Sequence, residues 1–146
     1  MIPLTSDQQL TVPDDKGNKY EFKYLTALDD AVEFSALAKR EREDREKFYK
    51  KAKAELPKNA GEKNIDIRAY ELLIEDREAN PRQYLSLCNT YINIFVVGWQ
   101  GKGLLPFPKS GKPADAVRIF EKYKLYRLIQ NNIAELTGLV FDEVKN

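Results

Sequence analysis

No glycine or proline occurs from Thr26 to Leu56, and this feature constrains the fold more than any other in the chain. Glycine and proline are the residues that most often interrupt helices, so their absence favours one continuous helix. Opposite charges four residues apart stabilise a helix, and they occur here in the pairs Glu41–Arg45, Glu43–Lys47 and Glu46–Lys50. The sequence therefore predicts a long charged helix over residues 26–56. Because no apolar residue occurs from Arg40 to Glu46, that part is expected to be solvated, and it stays open whether it packs or projects.

The first 25 residues have the pattern of a β-hairpin. Leu10 and Val12 alternate with polar residues, and the segment Pro13–Asn18 is rich in turn-forming residue types. After the turn, the aromatic residues at every second position share one face: Tyr20, Phe22 and Tyr24. Alternation with period two indicates strands with one buried face, so a hairpin is predicted over residues 1–25.

The rest of the chain predicts three further helices. A break is expected at Leu56–Asn64, followed by two helices over residues 64–97 that meet at Asn80–Pro81, since proline is favoured at the first helical position. The second of these is apolar on nearly all sides, runs from Pro81 to Val97 and is expected to be central. A loop rich in glycine and proline follows over residues 98–113. A C-terminal helix, opened by Pro113, and a tail occupy residues 114–146.

Together these elements predict a mainly α fold with a small N-terminal β-hairpin (α+β). A bundle of about four helices would cover the aromatic face of the hairpin. The length of 146 residues fits a single domain over residues 1–146. In the tail, the apolar residues Leu139, Phe141 and Val144 are expected to reach back to the core.

The composition argues against most catalytic and metal sites. The chain has no histidine, which is the commonest general base and metal ligand, and Cys88 is its only cysteine. Neighbouring carboxylates such as Asp29–Asp30 do not point at the same spot on a helix. We therefore expect no enzyme activity, no cofactor and no metal site, with Cys88 as a buried small apolar residue.

Charge and hydropathy also limit the partners. Lysine plus arginine number 24 and aspartate plus glutamate 23, so the net charge of +1 gives no general reason to expect nucleic acid or an anionic membrane. The N-terminal segment lacks the pattern of a signal peptide, and the apolar run Ile92–Trp99 is too short to span a bilayer. These features predict a cytoplasmic protein.

The loop after the third predicted helix is the main candidate site. Its glycines suggest a phosphate-binding loop, but Lys112 is followed by proline, and the predicted element before the loop is a helix rather than a strand. The glycines are better explained as residues that let the chain turn. The apolar residues of the loop would either cap the bundle or remain exposed as a surface for a partner: Trp99, Leu104, Leu105 and Phe107.

The basic segment Lys39–Lys58 gives a second candidate. It has nine positive and five negative residues, so binding to nucleic acid is an open alternative. Its interleaved acids would repel a phosphate backbone, which favours an ordinary solvated helix face.

The order of these motifs resembles that of the tail assembly chaperones of long-tailed bacteriophages and prophages. In many such proteins an early strand of alternating aromatics runs into a leucine-threonine helix start, as in the segment Tyr20–Thr26. A later helix ends in a loop with tryptophan and glycine, then a leucine-proline-phenylalanine stretch and a last amphipathic helix. The matching positions here are Gly98, Trp99, Gly101, Gly103, Leu105, Pro106 and Phe107. The resemblance covers roughly residues 20–26 and 91–146.

The resemblance implies a function in tail assembly without catalytic residues. Such chaperones bind apolar segments of the tape measure protein until tail tube subunits replace them. The tape measure protein is then the expected partner, the tail tube protein is a second candidate, and a homo-oligomer is an open option. We expect the binding surface at Trp99, Leu104, Leu105 and Phe107, and next at Tyr123 and Tyr126. The alternatives are a structural tail or connector component that stays in the particle, and a regulator that binds nucleic acid.

Overall fold

A β-hairpin begins the part of the chain that the computed structural model describes, which comprises residues 9–26, 28–109 and 112–138. Strand β1 (Gln9–Pro13) pairs antiparallel with strand β2 (Lys19–Lys23). Asp14 closes the turn, since its carboxylate accepts hydrogen bonds from the backbone N–H of Lys16 (2.8 Å) and of Asn18 (2.9 Å). The predicted N-terminal hairpin is therefore confirmed.

The fold is mainly helical, as the sequence predicts. The helices are α1 (Leu28–Glu55), α2 (Glu62–Ala79), α3 (Pro81–Phe95) and α4 (Ile119–Asn131), with a further short helical segment at residues 133–138. Helix α3 begins at Pro81, where the fixed φ of proline suits the first helical position. Within the described part of the chain, no helix is long and apolar enough to cross a lipid bilayer.

A third strand is the main difference from the expected architecture. The third helix ends at Phe95 rather than at Val97, and strand β3 (Val96–Gln100) follows directly. It pairs antiparallel with β2, so the sheet has three strands in the order β1-β2-β3. Glu21 lies opposite Gly98 and Phe22 opposite Val96, which leaves Val97 as the extra residue of a β-bulge. The irregular loop therefore begins at Gly101, three residues after the predicted start at residue 98.

The start of the last helix also differs from the expectation. Pro113 opens a short 3-10 turn (Pro113–Ala116) instead of the helix itself. Val117 and Arg118 are extended, with ψ of 130° and 149°, so α4 begins only at Ile119. The predicted contacts of Leu139, Phe141 and Val144 lie outside the described residues.

The chain divides into two compact units where a single domain was expected. Unit 1 comprises Met1–Ala31 and Leu85–Asn146, and unit 2 comprises Val32–Tyr84.

Unit 1 has an aromatic interior. Tyr91 packs edge to face on Tyr126 with ring centroids 5.2 Å apart, and the backbone N–H of Leu25 donates to the carbonyl of Leu136 at 2.8 Å. The largest fully buried side chains come from β2 and its C-terminal end, α3, α4 and the last helical segment: Tyr20, Phe22, Leu25, Tyr91, Ile92, Phe95, Leu125, Ile129 and Leu136. Cys88 is also fully buried, where the sequence placed it.

Unit 2 has a smaller core between α1 and α2. Its buried cluster is Phe48, Ala52, Ile65 and Leu72. The C-terminal half of α1 therefore packs on α2, whereas residues 42–47 are exposed. Two apolar residues of α2 at helical spacing, Ile67 and Tyr70, are 49% and 64% exposed.

Candidate protein-binding surface

Trp99 and Phe107 form the packed base of the loop after β3. The indole Nε1–H of Trp99 donates to the carbonyl of Leu105 at 2.6 Å. Its ring meets that of Phe107 edge to face, with centroids 4.6 Å apart and an interplanar angle of 74°. Both side chains are half-buried. An aromatic pair of this geometry adds to the burial of its area, so these contacts fold the loop back beneath Trp99.

Two glycines allow this loop to take its path. A Cβ on Gly101 would collide with the side chain of Asn18. The Asn18 side chain cannot easily move, because it is buried and hydrogen-bonded to Asp14. Gly103 has φ of +84°, a conformation that favours glycine, and its carbonyl accepts a hydrogen bond from Arg118 at 3.2 Å. The glycines thus serve the loop conformation, as the sequence indicated.

The far end of the loop is fixed to α3. The backbone N–H of Ala114, in the 3-10 turn, donates to Asn93 Oδ1 at 2.9 Å, and Ala114 is buried. Asn93 interrupts the apolar run of α3, and this hydrogen bond is a structural use for its amide. The loop is therefore held at three places. Trp99 contacts Leu105 and Phe107, Arg118 donates to Gly103, and Ala114 donates to Asn93.

Three apolar side chains of the loop and of the start of α4 are exposed. Leu105 is 40% exposed, Ile119 is 62% exposed and Phe120 is 63% exposed. Leu105 lines a small cavity together with Val117 and Arg118, the residues that precede Ile119, so the loop meets the start of α4 there. We call Leu105, Ile119 and Phe120 the loop–α4 surface. They are the exposed large apolar residues of unit 1 within the described ranges.

The structure brings four of the predicted binding residues together. Trp99, Leu104 and Phe107 are half-buried, and Leu105 is the exposed member of the group. Tyr126 is 6% exposed and packs on Tyr91 in the core, and Tyr123 is half-buried. Tyr126 is therefore a core residue and contributes no area to the exposed surface.

Ile119 and Phe120 are the surface residues that sequence reasoning missed. Both fit the apolar spacing of the last helix, and that spacing places such residues in a core. The signal that could have found them is their position beside the predicted Gly/Pro loop, in the first turn of α4.

A cluster of charged groups fixes α4 to the hairpin. Lys124 Nζ lies 3.0 Å from Asp14 Oδ2 and 2.7 Å from Asp15 Oδ1. Burial raises the pKa of Asp14, but hydrogen bonds from Lys124, Asn18 and Lys16 lower it to about 2. The hydrogen bond to Asp15 is the main reason that the pKa of Lys124 is raised. Ile119 and Phe120 are thus carried by a helix whose position is fixed on the sheet.

Tyr20 and Glu121 are two polar residues that line a small cavity among apolar residues. The cavity that Leu105 lines also contains Tyr20, Trp99 and Glu121, and its volume of about 10 Å³ is too small for an organic cofactor. Burial, followed by the carboxylates of Glu121 and Asp14, raises the pKa of Tyr20 to about 12. Tyr20 is therefore a neutral phenol across the physiological pH range.

The site can offer a ligand apolar contacts from side chains whose loop and helix are held in place. Within residues 9–26, 28–109 and 112–138, no group of three or more cysteine, aspartate or glutamate residues is placed to hold a metal ion. The three side chains of the loop–α4 surface are apolar and exposed, and exposed apolar side chains near one another are typical of surfaces that contact other proteins. No family model, curated protein or solved structure matches the chain.

Proposed function

We propose that this chain binds an apolar segment of another protein through the loop–α4 surface, and that it acts as a tail assembly chaperone for the tape measure protein. The observation that carries the proposal is the exposure of Leu105, Ile119 and Phe120 on a loop and helix held by specific contacts. The sequence resemblance to phage tail assembly chaperones includes this same loop. The proposed role is binding rather than catalysis, in the cytoplasm of a bacterial host.

The size of the surface favours reversible binding. Full burial of one large apolar side chain contributes about 1.5 to 3 kcal/mol. The three side chains are already about half covered, so covering the remainder contributes on the order of 3 kcal/mol before the entropic cost of association. Such a contact is weak by itself and becomes useful when several copies cover a long partner. A chaperone that must later be displaced requires this weakness.

Co-expression with a tape measure protein tests the proposal. The readout is the soluble fraction of that protein, with and without this chain. We expect the chain to raise the soluble fraction and to co-purify with the partner. The double variant Ile119→Ser with Phe120→Ser should lose both effects.

The matched control is Val32→Ser with Ile67→Ser, two exposed apolar residues of unit 2. This control should behave as the unchanged chain. If the Ile119 and Phe120 variant folds and still solubilises the partner as well as the control, the assigned surface is wrong. If the unchanged chain gives no complex and no increase in solubility, the chaperone function itself is wrong.

The sheet favours one alternative, a structural component that stays in the particle. Strand β1 lies at an edge of the three-stranded sheet, and an edge strand can pair with a strand of a neighbouring molecule. Mass spectrometry of purified particles separates the two functions. A chaperone should be missing from the particles, whereas a structural component should be present in stoichiometric amounts.

A further inference from the structure

A groove in unit 2 forms a second surface that is separate from the loop–α4 surface. It lies between α1 and α2 and has a volume of about 480 Å³. The two helices run in opposite directions, since Glu41 lies near Arg77 and Tyr49 hydrogen-bonds to Glu62. A groove between two antiparallel helices has the shape that accepts a third helix along its length.

The lining of this groove on α2 is an uncovered apolar stripe. Ala69, Tyr70 and Leu73 line it at helical spacing, beside Phe48 and Tyr49 of α1. Phe48 is buried, but Tyr70 is 64% exposed, and Ala69 and Leu73 are half-buried. From Ala69 to Leu73 the stripe is about 6 Å long, which corresponds to roughly one turn of a partner helix. The core of unit 2 is thus small on this side and leaves apolar area uncovered.

Three cations line the α1 side of the groove. Arg42, Arg45 and Lys50 line it, and none of them makes a salt bridge to another described residue. Arg68 and Arg77, on α2 of the same unit, do make salt bridges, to Glu55 and Glu41 among others. The groove therefore combines an uncovered apolar stripe with three cations on α1, which outnumber the two carboxylates of the lining, Glu46 and Asp66.

We propose that the α1–α2 groove binds an amphipathic helix of a partner protein, with apolar residues every three or four positions and an acidic edge facing α1. The apolar stripe of that helix covers Tyr70 and Leu73, and its carboxylates meet Arg42 and Arg45. Nucleic acid fits the groove less well, because its affinity depends mainly on phosphate contacts and Glu46 and Asp66 reduce the positive charge of the lining, whereas an amphipathic helix also gains from covering the apolar stripe. This inference concerns a different unit and surface, so it does not depend on the tail assembly function.

Fluorescence anisotropy with labelled peptides tests the groove. The probe is a helix-forming peptide of about 15 residues, with leucine every three or four positions and glutamate beside the leucines. A matched peptide carries lysine in place of each glutamate, and a third scrambles the acidic sequence. The whole chain should bind the acidic peptide at least about tenfold more tightly than the other two.

Reversal of the charges in the groove should change the preference from the acidic peptide to the basic peptide. In Arg42→Glu with Arg45→Glu, the affinity for the acidic peptide should fall about tenfold or more, and binding of the basic peptide should appear. The control Lys51→Glu with Lys53→Glu changes two exposed lysines of the same helix that do not line the groove. This control should leave both affinities within about twofold of the unchanged chain, apart from screening by salt.

A second pair of variants tests the apolar stripe without disturbing the fold. Tyr70→Ala should weaken the acidic peptide severalfold, whereas Ile67→Ala, an exposed position of α2 outside the lining, should not. The proposal is overturned if the unchanged chain binds the acidic and basic peptides equally or binds neither. It is also overturned if the control variants weaken binding as much as the groove variants do. Displacement of the acidic peptide by duplex DNA, with the same dependence on Arg42 and Arg45, would assign the groove to nucleic acid instead.

Discussion

The two units of this chain use apolar and charged side chains in different ways. In unit 1 the large aromatic residues are buried, and polar groups make specific contacts, such as Asp14 with the hairpin turn and Trp99 with the loop carbonyl. In unit 2 the buried cluster is small, and ion pairs such as Arg68–Glu55 and Arg77–Glu41 link α1 to α2. Arg68 alone lies within 4 Å of three carboxylates, those of Glu55, Glu71 and Glu75.

The difference shows two ways to present an apolar surface. Unit 1 holds Ile119 and Phe120 on a helix that Lys124 attaches to the hairpin, so that surface has a fixed geometry. Unit 2 presents Tyr70 on a pair of helices whose buried cluster comprises four residues. We therefore expect substitutions in unit 1 to affect stability strongly where contacts are specific, and substitutions of the ion pairs in unit 2 to affect it weakly.

The largest effect is expected for a buried aromatic residue of unit 1. Phe22→Ala removes a fully buried ring and should lower the free energy of unfolding by about 3 to 5 kcal/mol. Phe120→Ala, at a residue that is 63% exposed, should change it by less than about 0.5 kcal/mol. Urea denaturation followed by circular dichroism measures both. Equal losses for the two variants would contradict the assignment of Phe120 to the surface.

The next-largest effect on stability is expected at Gly101, where the loop closely approaches the β-hairpin. Gly101→Ser places a Cβ against the buried Asn18 side chain and should cost about 2 kcal/mol. The matched control is Gly61→Ser in unit 2, where a Cβ meets open space and serine suits the N-cap of α2. Thermal unfolding should show a lower midpoint for Gly101→Ser. For Gly61→Ser the midpoint should be unchanged or higher.

Acid should destabilise unit 1 through Asp14. Its pKa is about 2 in the folded chain and 3.8 when unperturbed, so its contribution is present above about pH 4 and is lost as the pH falls towards 2. After allowance for solvent screening at the turn, this contribution is about 1 kcal/mol. Asp14→Asn should flatten the decline of stability between pH 4 and 2. A decline of the same steepness in the variant would show that other carboxylates are responsible.

The smallest effect is expected for the ion pairs of unit 2. Arg68→Ala removes solvent-accessible ion pairs of α2 with α1 and within α2. Such ion pairs contribute little to stability, because water and salt screen them. The midpoint of urea denaturation should shift less than for Phe22→Ala or Gly101→Ser. The shift should vanish at about 1 M salt, where the Debye length is short. A shift that persists at high salt would indicate that Arg68 acts through packing of its aliphatic stem.

Local sequence patterns predicted the elements whose cause is local. The hairpin follows from the alternation of Tyr20 and Phe22, and the junction of α2 and α3 follows from the backbone of Pro81. Strand β3 was not predictable in this way, because Val96 and Val97 continue the apolar run of α3. Its strand conformation depends on pairing with β2, far away in the sequence.

The candidate site was predictable only in part, for a similar reason. The sequence identified the loop of Trp99, Leu105 and Phe107, since apolar residues among glycines and prolines are unusual. It could not show that Trp99 packs on Phe107 or that Phe120 stays uncovered. Helical spacing tells which face of a helix is apolar, but whether another element covers that face is a tertiary property.

Hydrogen–deuterium exchange with and without the proposed partner, the tape measure protein, tests the central claim most directly. We expect partner binding to slow exchange at the backbone amides of residues 101–109 and 117–123, which include the residues of the loop–α4 surface. Residues of the hairpin turn, such as Lys16 and Asn18, should exchange at the same rate in the free and bound chain. A complex that leaves exchange at residues 101–109 and 117–123 unchanged would contradict the claim that this surface is where the partner binds.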